Sequence, residues 1–326
     1  MAVSSENPTL ELASSPHLRD RDSVPAIMYA VVIALVPAVL ASVMFFGLTA
    51  LLNILVCVAT GVATEWVFCR ARNRPSGLRD GSTVVTGLLL ALVLPPRIPI
   101  QILVVGSAVS IALGKMIYGG LGSNIFNPAL IGRAFLMACY PVPLTTWTKP
   151  TGFPGLAAVT GATPLGMFKF ERQLTGIGQL FWGNVGGSLG ETSALAILLG
   201  AAYLFIRRVI SWHIPAVMIG TVAVFTGIMH AANPGAYASV PFHLLSGGLL
   251  IGAFFMATDM VTSPTTHKGQ MVFGIGAGLI VVLIRLWGGY PEGVMYGILF
   301  MNALTPLINR ATRPRIYGYK KGGTPS

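Results

Sequence analysis

The sequence predicts an all-α polytopic integral membrane protein with about ten transmembrane helices, and three observations lead there. Of the 326 residues, 54% are hydrophobic and only 10% are charged, with a mean hydropathy of +0.74. A soluble domain carries about 25% charged residues, so this chain cannot cover a water-facing surface with charge. Apolar runs recur from residue 23 to residue 307, several near the roughly 17–25 residues that cross a bilayer core. The 39 glycines and 22 prolines suit close helix packing and broken helices buried in protein.

Ten span cores are expected, at 24–44, 48–68, 84–94, 98–113, 128–140, 193–206, 214–229, 242–257, 271–286 and 293–308. The polar stretch 1–22 holds Glu6, Glu11, Arg19, Asp20, Arg21 and Asp22. No small-residue cleavage site closes the first apolar run, which reads as a span rather than a removable signal. Two membrane bundles of five helices, 23–140 and 191–308, flank a long segment at 141–190. A basic tail follows at 309–326.

Charge orients the bundle. With the N-terminus in the cytoplasm, the cytoplasmic side receives Arg19, Arg21, Arg70, Arg72, Arg74, Arg79, Lys115, Arg133, Arg207, Arg208, Lys268, Arg310, Arg313, Arg315, Lys320 and Lys321. The opposite side holds only Arg97, Lys149, Lys169 and Arg172, and Arg285 lies near a span end. This asymmetry predicts two cytoplasmic termini and an outer-side 141–190 segment. The same clustering argues that the net charge of +11 serves topology, with lipid as partner and no nucleic acid.

Five spans per half would invert one half against the other in the membrane. The echo between KMIYGG at 115–120 and RLWGG at 285–289 is either such an inverted repeat or a chance likeness of glycine-rich segments. Each is followed by a helix with Asn and Pro: Asn127 and Pro128, then Asn302 and Pro306.

Chemistry concentrates in few places. In VTGATPL at 159–165, Gly161 permits positive φ and Pro164 keeps Thr163 out of helix. The segment therefore offers the Thr160 and Thr163 hydroxyls to solvent, although these residues alone describe an ordinary turn. Asn124 and Asn127 sit at an expected helix break. They either bind an anion, a flavin or an ion through freed backbone groups, or cap a helix. Glu65, Asp80 and Asp259 lie near span ends, suited to an ion path, a cap or an Arg pair. Glu191 and Glu292 are weaker candidates on the outer side. Cys57, Cys69 and Cys139 form no disulfide framework, and His213, His230, His243 and His267 have no metal spacing. No Walker or dinucleotide fingerprint occurs. Trp66, Trp147, Trp182, Trp212 and Trp287 read as interface anchors.

Five further stretches accompany the threonine motif: DGSTVVTG within 80–96, GGLGSNIFNP within 119–130, FMATDMVTSP within 255–266, GGYPEG at 288–293 and MNALTP at 301–306. Together they resemble, over nearly the whole chain, the D subunit of the Rnf electron-transport complex. The related B subunit of the Na+-pumping NADH:quinone oxidoreductase is similar. The resemblance implies that Thr163, last residue of the Thr160, Gly161, Ala162, Thr163 motif, carries FMN through a phosphoester. In the family an aspartate usually stands six residues earlier, where this chain has Ala157. The quinone-reducing relative implies riboflavin near Asn124 and Asn127. The implied function is a membrane subunit of an ion-translocating ferredoxin:NAD+ oxidoreductase in a cell inner membrane. The implied partners are an outer-face FMN subunit, integral membrane subunits and cytoplasmic iron–sulfur subunits. Two other readings remain: a small-molecule permease, which needs a central path and no flavin, and a non-redox scaffold, which tolerates loss of Thr163.

Overall fold

The computed structural model describes residues 23–73, 77–153 and 160–314. The chain folds into helices wherever an apolar run is bounded by a capping residue or a glycine. The first helix, α1 (Val24–Phe46), opens with Ser23, whose hydroxyl accepts from the Ala26 N–H at 3.4 Å, and has proline in its first turn. Gly47, at φ +68°, turns the chain into α2 (Leu48–Ala71). Then follow α3 (Ser82–Leu92), α4 (Ile100–Ile111, continuing through a π-helical turn, Ala112–Met116) and α5 (Pro128–Cys139). The second half begins with α9 (Ala194–Ile206), which Ser193 caps as Ser23 caps α1, then α10 (His213–Ala232). The helices α13 (His267–Trp287) and α14 (Val294–Ala311) complete it.

Between the halves the expected single loop holds three short helices: α6 (Pro141–Thr145), α7 (Pro164–Gly166, continuing through a π turn, Met167–Glu171) and α8 (Ile177–Trp182). Every expected core falls on helix, but the eighth is not continuous. It divides into α11 (Val240–Leu245) and α12 (Leu249–Ile251, continued by a π turn, Gly252–Met256), separated by Ser246, Gly247 and Gly248. Helix α14 runs through Ala311, past the expected boundary at 308. Among the described residues no strand forms; Thr148 and Thr160 make one isolated antiparallel bridge.

Four helices, α1, α2, α10 and α13, are long and apolar enough to cross a membrane, and α3, α4, α5 and α9 are shorter apolar helices. The polarity of the fold is inverted relative to a water-soluble one. Ile33, Leu40, Met44, Leu55, Val224 and Ile228 point outward, whereas Glu65, Lys115, Arg133, Glu191 and Arg285 are buried. Water would penalise that apolar outer surface, and hydrocarbon does not. The chain is a multi-pass helical membrane protein.

Packing follows the same order in both halves. Helix α4 lies against α2 and α5 with α3 beside α2, and α13 lies against α10 and α14 with α11 beside α10. The halves meet where α1 crosses α9. A methyl on Gly200 of α9 would overlap the Ala34 carbonyl of α1, so glycine permits this crossing.

Candidate functional site

The 160–163 motif is built into the protein by local bonds. The Gly161 N–H donates to the Trp147 carbonyl at 3.1 Å, next to the Thr148–Thr160 bridge. A little further on, the N–H groups of Thr151 and Gly152 donate to the Phe45 carbonyl at the end of α1. Thr163 is extended (φ −69°, ψ 155°), as the following proline requires. It is the N-cap of α7: its Oγ1 accepts from the Gly166 N–H at 3.1 Å. Leu165 anchors this helix among Leu180, Val185, Ala238 and Phe242.

The motif departs from expectation in two respects. Gly161 does not adopt positive φ. Its missing Cβ matters instead, since that atom would stand 2.7 Å from the Lys149 side chain. Nor are both hydroxyls presented to solvent: Thr160 is exposed, but Thr163 is 6% exposed because capping turns its hydroxyl inward. Ala157 lies outside the described residues.

Thr160, Gly161, Ala162 and Thr163 line one cavity of about 580 Å³, inside the roughly 300–1,000 Å³ range of small-molecule sites. Trp147, Phe170, Tyr290 and Tyr296 give it aromatic walls, and Arg133 and Glu292 give it charge. Trp147 is therefore a cavity residue rather than an interface anchor, whereas Trp66, Trp182, Trp212 and Trp287 are exposed. Arg133, expected at the opposite end with Lys115, is also corrected. It sits inside α5 and turns toward the Thr163 cavity because its carboxylate partners are there. Its Nη2 is 3.1 Å from Glu292 Oε2, and its Nη1 is 3.9 Å from Glu191 Oε1.

These carboxyls meet at the break between α11 and α12. Glu292 accepts from the Gly248 N–H at 2.7 Å, at the N-terminal end of α12. Arg285 donates to the carbonyls of His243 at 2.5 Å and Ser246 at 3.0 Å, at the C-terminal end of α11. Each half-helix thus faces charge of the sign its dipole favours. Lys169 closes the adjacent end of α13, donating to the carbonyls of Ile284, Arg285, Gly288 and Tyr290 at 3.1, 3.1, 2.5 and 2.9 Å. Burial holds the Lys169 ammonium below the ordinary lysine value. Burial and then the Glu292 carboxylate push the Glu191 carboxyl up to about 8. Burial alone would raise Glu292 as well, but Arg133, Arg285 and the Gly248 N–H together hold it below the usual range.

Two expected results follow from this break. Gly247 has φ +69°, and a Cβ there would overlap the Glu292 carboxylate and stand 3.1 Å from Arg285 Nη2. Gly247→Ala should cost about 1–3 kcal/mol from backbone strain, besides displacing Glu292, as read by thermal unfolding in detergent. The pH dependence has a definite sign. A carboxyl whose folded value is raised favours the protonated folded state, so its stabilisation is complete at acid pH. It is lost progressively as pH rises from the ordinary carboxyl value of 4.5 to about 8, and little changes above that. The melting temperature should fall across that window in the wild type, and Glu191→Gln should flatten that fall.

The remaining acids and amides occupy other places. Lys115 Nζ lies 2.9 Å from Glu65 Oε1 and donates to Ser82 at 2.7 Å and Thr83 at 3.0 Å. Asp80 accepts from the Ser82 N–H at 2.8 Å. Asp259 accepts from the Val261 N–H at 3.3 Å and the Thr262 hydroxyl at 3.2 Å. Asn127 caps α5, accepting from Ala129 at 3.0 Å and Leu130 at 3.4 Å, and donates to the Met256 carbonyl at 3.3 Å. Asn124 Oδ1 is buried with no hydrogen-bond partner among the described residues. Both amides border a cleft that also includes Asp259, of only about 80 Å³. That volume holds a few waters and lies well below the range for organic ligands.

The geometry defines a multi-pass membrane protein with a hydroxyl-, aromatic- and arginine-lined cavity at one end of its bundle. Residues 11–318 match the model of the NQR2, RnfD, RnfE family, and the chain belongs to that family. It is 48% identical to the D subunit of the proton-translocating ferredoxin:NAD(+) oxidoreductase complex of Clostridium ljungdahlii, covering 95% of this chain and 96% of the relative. It is 46% identical to the D subunit of the Na(+)-translocating ferredoxin:NAD(+) oxidoreductase complex of Acetobacterium woodii, covering 96% of each. The D subunit of the ion-translocating oxidoreductase complex of Halorhodospira halophila is 40% identical, with 97% of each chain covered.

Proposed function

We propose that this protein is the D subunit of an Rnf-type ion-translocating ferredoxin:NAD+ oxidoreductase, and that it carries electrons through FMN bound covalently to Thr163. One observation carries the flavin part. The motif threonine lies on a cavity of about 580 Å³ with aromatic and cationic walls, a suitable size and chemistry for one flavin. Thr163 would hold the phosphoryl group, Trp147, Tyr290 and Tyr296 would border the ring, and Arg133 would supply positive charge. When bound, the flavin supplies the electron-carrying chemistry that side chains lack. The protein's own part is to fix Thr163 by the α7 cap, to exclude water with aromatic walls, and to hold Arg133 charged between two carboxyls.

In this reading ten helical segments cross an inner membrane as two inverted five-helix repeats. The shared packing order of α2–α5 and α10–α14 supports that arrangement. Both termini are cytoplasmic, and the 141–190 segment faces outward. Cytoplasmic iron–sulfur subunits, other membrane subunits and an outer-face FMN subunit are the proposed partners. The relatives' names differ in the ion they specify, so the coupled ion stays Na+ or H+.

Two measurements test the proposal. The wild type, expressed with its flavin transferase, should give a flavin-fluorescent band on a denaturing gel, and a dark band sinks the covalent reading. A reporter enzyme that works only outside the cytoplasm should be active when fused near Lys169; inactivity there reverses the orientation.

A further inference from the structure

Four charged side chains from four elements converge on the break between α11 and α12: Arg133 from α5, Glu191 from the turn before α9, Arg285 from α13, and Glu292 from the α13–α14 connection. Helix ends explain the two arginine contacts and the Glu292 contact, but not Glu191. Its Oε1 is buried without a hydrogen-bond partner among the described residues, 3.9 Å from the nearest guanidinium nitrogen of Arg133. The two carboxyls also approach the same glycine. Glu292 Oε1 takes the Gly248 N–H, and a Cβ on Gly248 would stand 2.9 Å from Glu191 Oε1. Two carboxylates brought together in a buried site cannot both ionise freely, and one keeps a proton. Glu292 holds the direct guanidinium and N–H contacts of the anionic form, so the proton falls to Glu191.

We infer that Glu191 and Glu292 form a proton-binding site with one exchangeable proton on Glu191, and that Arg133 couples this site to the charge in the Thr163 cavity. Arg133 is the shared element, since it lines the cavity and faces both carboxyls. The other groups around the pair are Arg285 from α13 and, through Arg285, the imidazole of His243 on α11. The raised Glu191 carboxyl agrees with the geometry.

The coupling half rests on the flavin reading. An electron delivered to the cavity by the assembly's redox chain adds one negative charge, which draws on the field of Arg133. Glu191, if ionised, then takes one proton from water. One O–H bond forms on its carboxylate, hydroxide or buffer base is left in solution, and the charge near Arg133 is unchanged. Removal of the electron reverses both steps.

The test has two arms, both on the full chain in its assembled complex. In the first, Thr163→Val protein, which lacks the flavin in our reading, is titrated from neutral to alkaline pH by infrared difference spectroscopy. The absorption of a protonated carboxyl should disappear around pH 8. It should be missing from the same background carrying Glu191→Gln and persist with Glu191→Asp. A titration unchanged by Glu191→Gln, or no titrating carboxyl at all, overturns the site.

In the second arm, the flavin midpoint potential of the loaded complex is followed against pH. Wild type and Glu191→Gln should agree where the carboxyl is protonated. Above that region the Gln variant should be easier to reduce by about tenfold in equilibrium constant, about 59 mV for a one-electron couple. Identical potentials throughout overturn the coupling. Arg133→Lys, which keeps the charge but not the fork that reaches both carboxyls, should shrink the difference; an undiminished difference also overturns Arg133 as the link. Flavin that survives Thr163→Val defeats the attachment reading while leaving the carboxyl titration to stand or fall by itself.

Discussion

Thr163→Val should abolish covalent flavin, giving a dark band on a denaturing gel, whereas Thr160→Val should keep most of the fluorescence. Both hydroxyls belong to the motif and border the same cavity, so sequence position alone does not separate them. Local structure does. Thr163 is held by its own cap, with Oγ1 accepting from Gly166 and its carbonyl accepting from Met167 at 2.8 Å. Its hydroxyl proton is uncommitted in that arrangement, so the oxygen can form an ester. Thr160 is exposed at a lone bridge, where a hydroxyl has no fixed direction. Valine keeps the branched shape of threonine, so the loss reads the oxygen rather than the fold. Capping residues contribute about 1 kcal/mol, and a modest drop in stability should accompany it. Thr163→Ser should retain both cap and modification. Undiminished fluorescence in Thr163→Val would place the attachment elsewhere.

Lys115→Met should destabilise the protein by roughly 3–5 kcal/mol, the largest stability effect expected here. Lys115 and Glu65 are almost fully buried, 2% and 3% exposed in their side chains. The ammonium compensates a carboxylate that also receives the Thr83 hydroxyl. Removing the cation leaves a buried charge with too little compensation. Replacing both partners by apolar residues, Lys115→Met with Glu65→Leu, should recover most of the loss, because desolvation offsets much of a buried pair's attraction. Thermal unfolding in detergent gives both values. A Lys115→Met protein as stable as the wild type would mean that the buried pair contributes nothing net to the fold.

Much of the scaffold is legible because hydrophobic run length is a strong signal. The expected cores land on helix, and Asn127 before Pro128 carries a start signal that the structure uses. The eighth core hides its break because Ser246, Gly247 and Gly248 lie in an otherwise apolar run, where glycine serves a packed helix as readily as an interruption. The cavity is half legible. The threonine motif can be found, but Arg133, Glu191 and Glu292 are 58 and 101 positions apart in successive steps, and no local pattern joins them. Arg133 carries one usable signal. A lone arginine more than a turn inside an apolar helix needs a buried partner, whereas counting it with the loop charges makes it a topology marker.

The 160–171 stretch is tied to the rest of the protein in two places. On one side it pairs with the extended 147–148 stretch, which continues to the end of α1; on the other, Lys169 grips the end of α13. A single ester would leave its cargo free to swing, because each bond in the link rotates. Fixing the stretch at both ends turns a leash into a mount. Electron tunnelling falls off steeply with separation, so a mount keeps the hop length the same from one turnover to the next. If Thr163 carries FMN as proposed, covalency would prevent loss of the carrier, while the two ties would set its distance from whatever comes next in the chain.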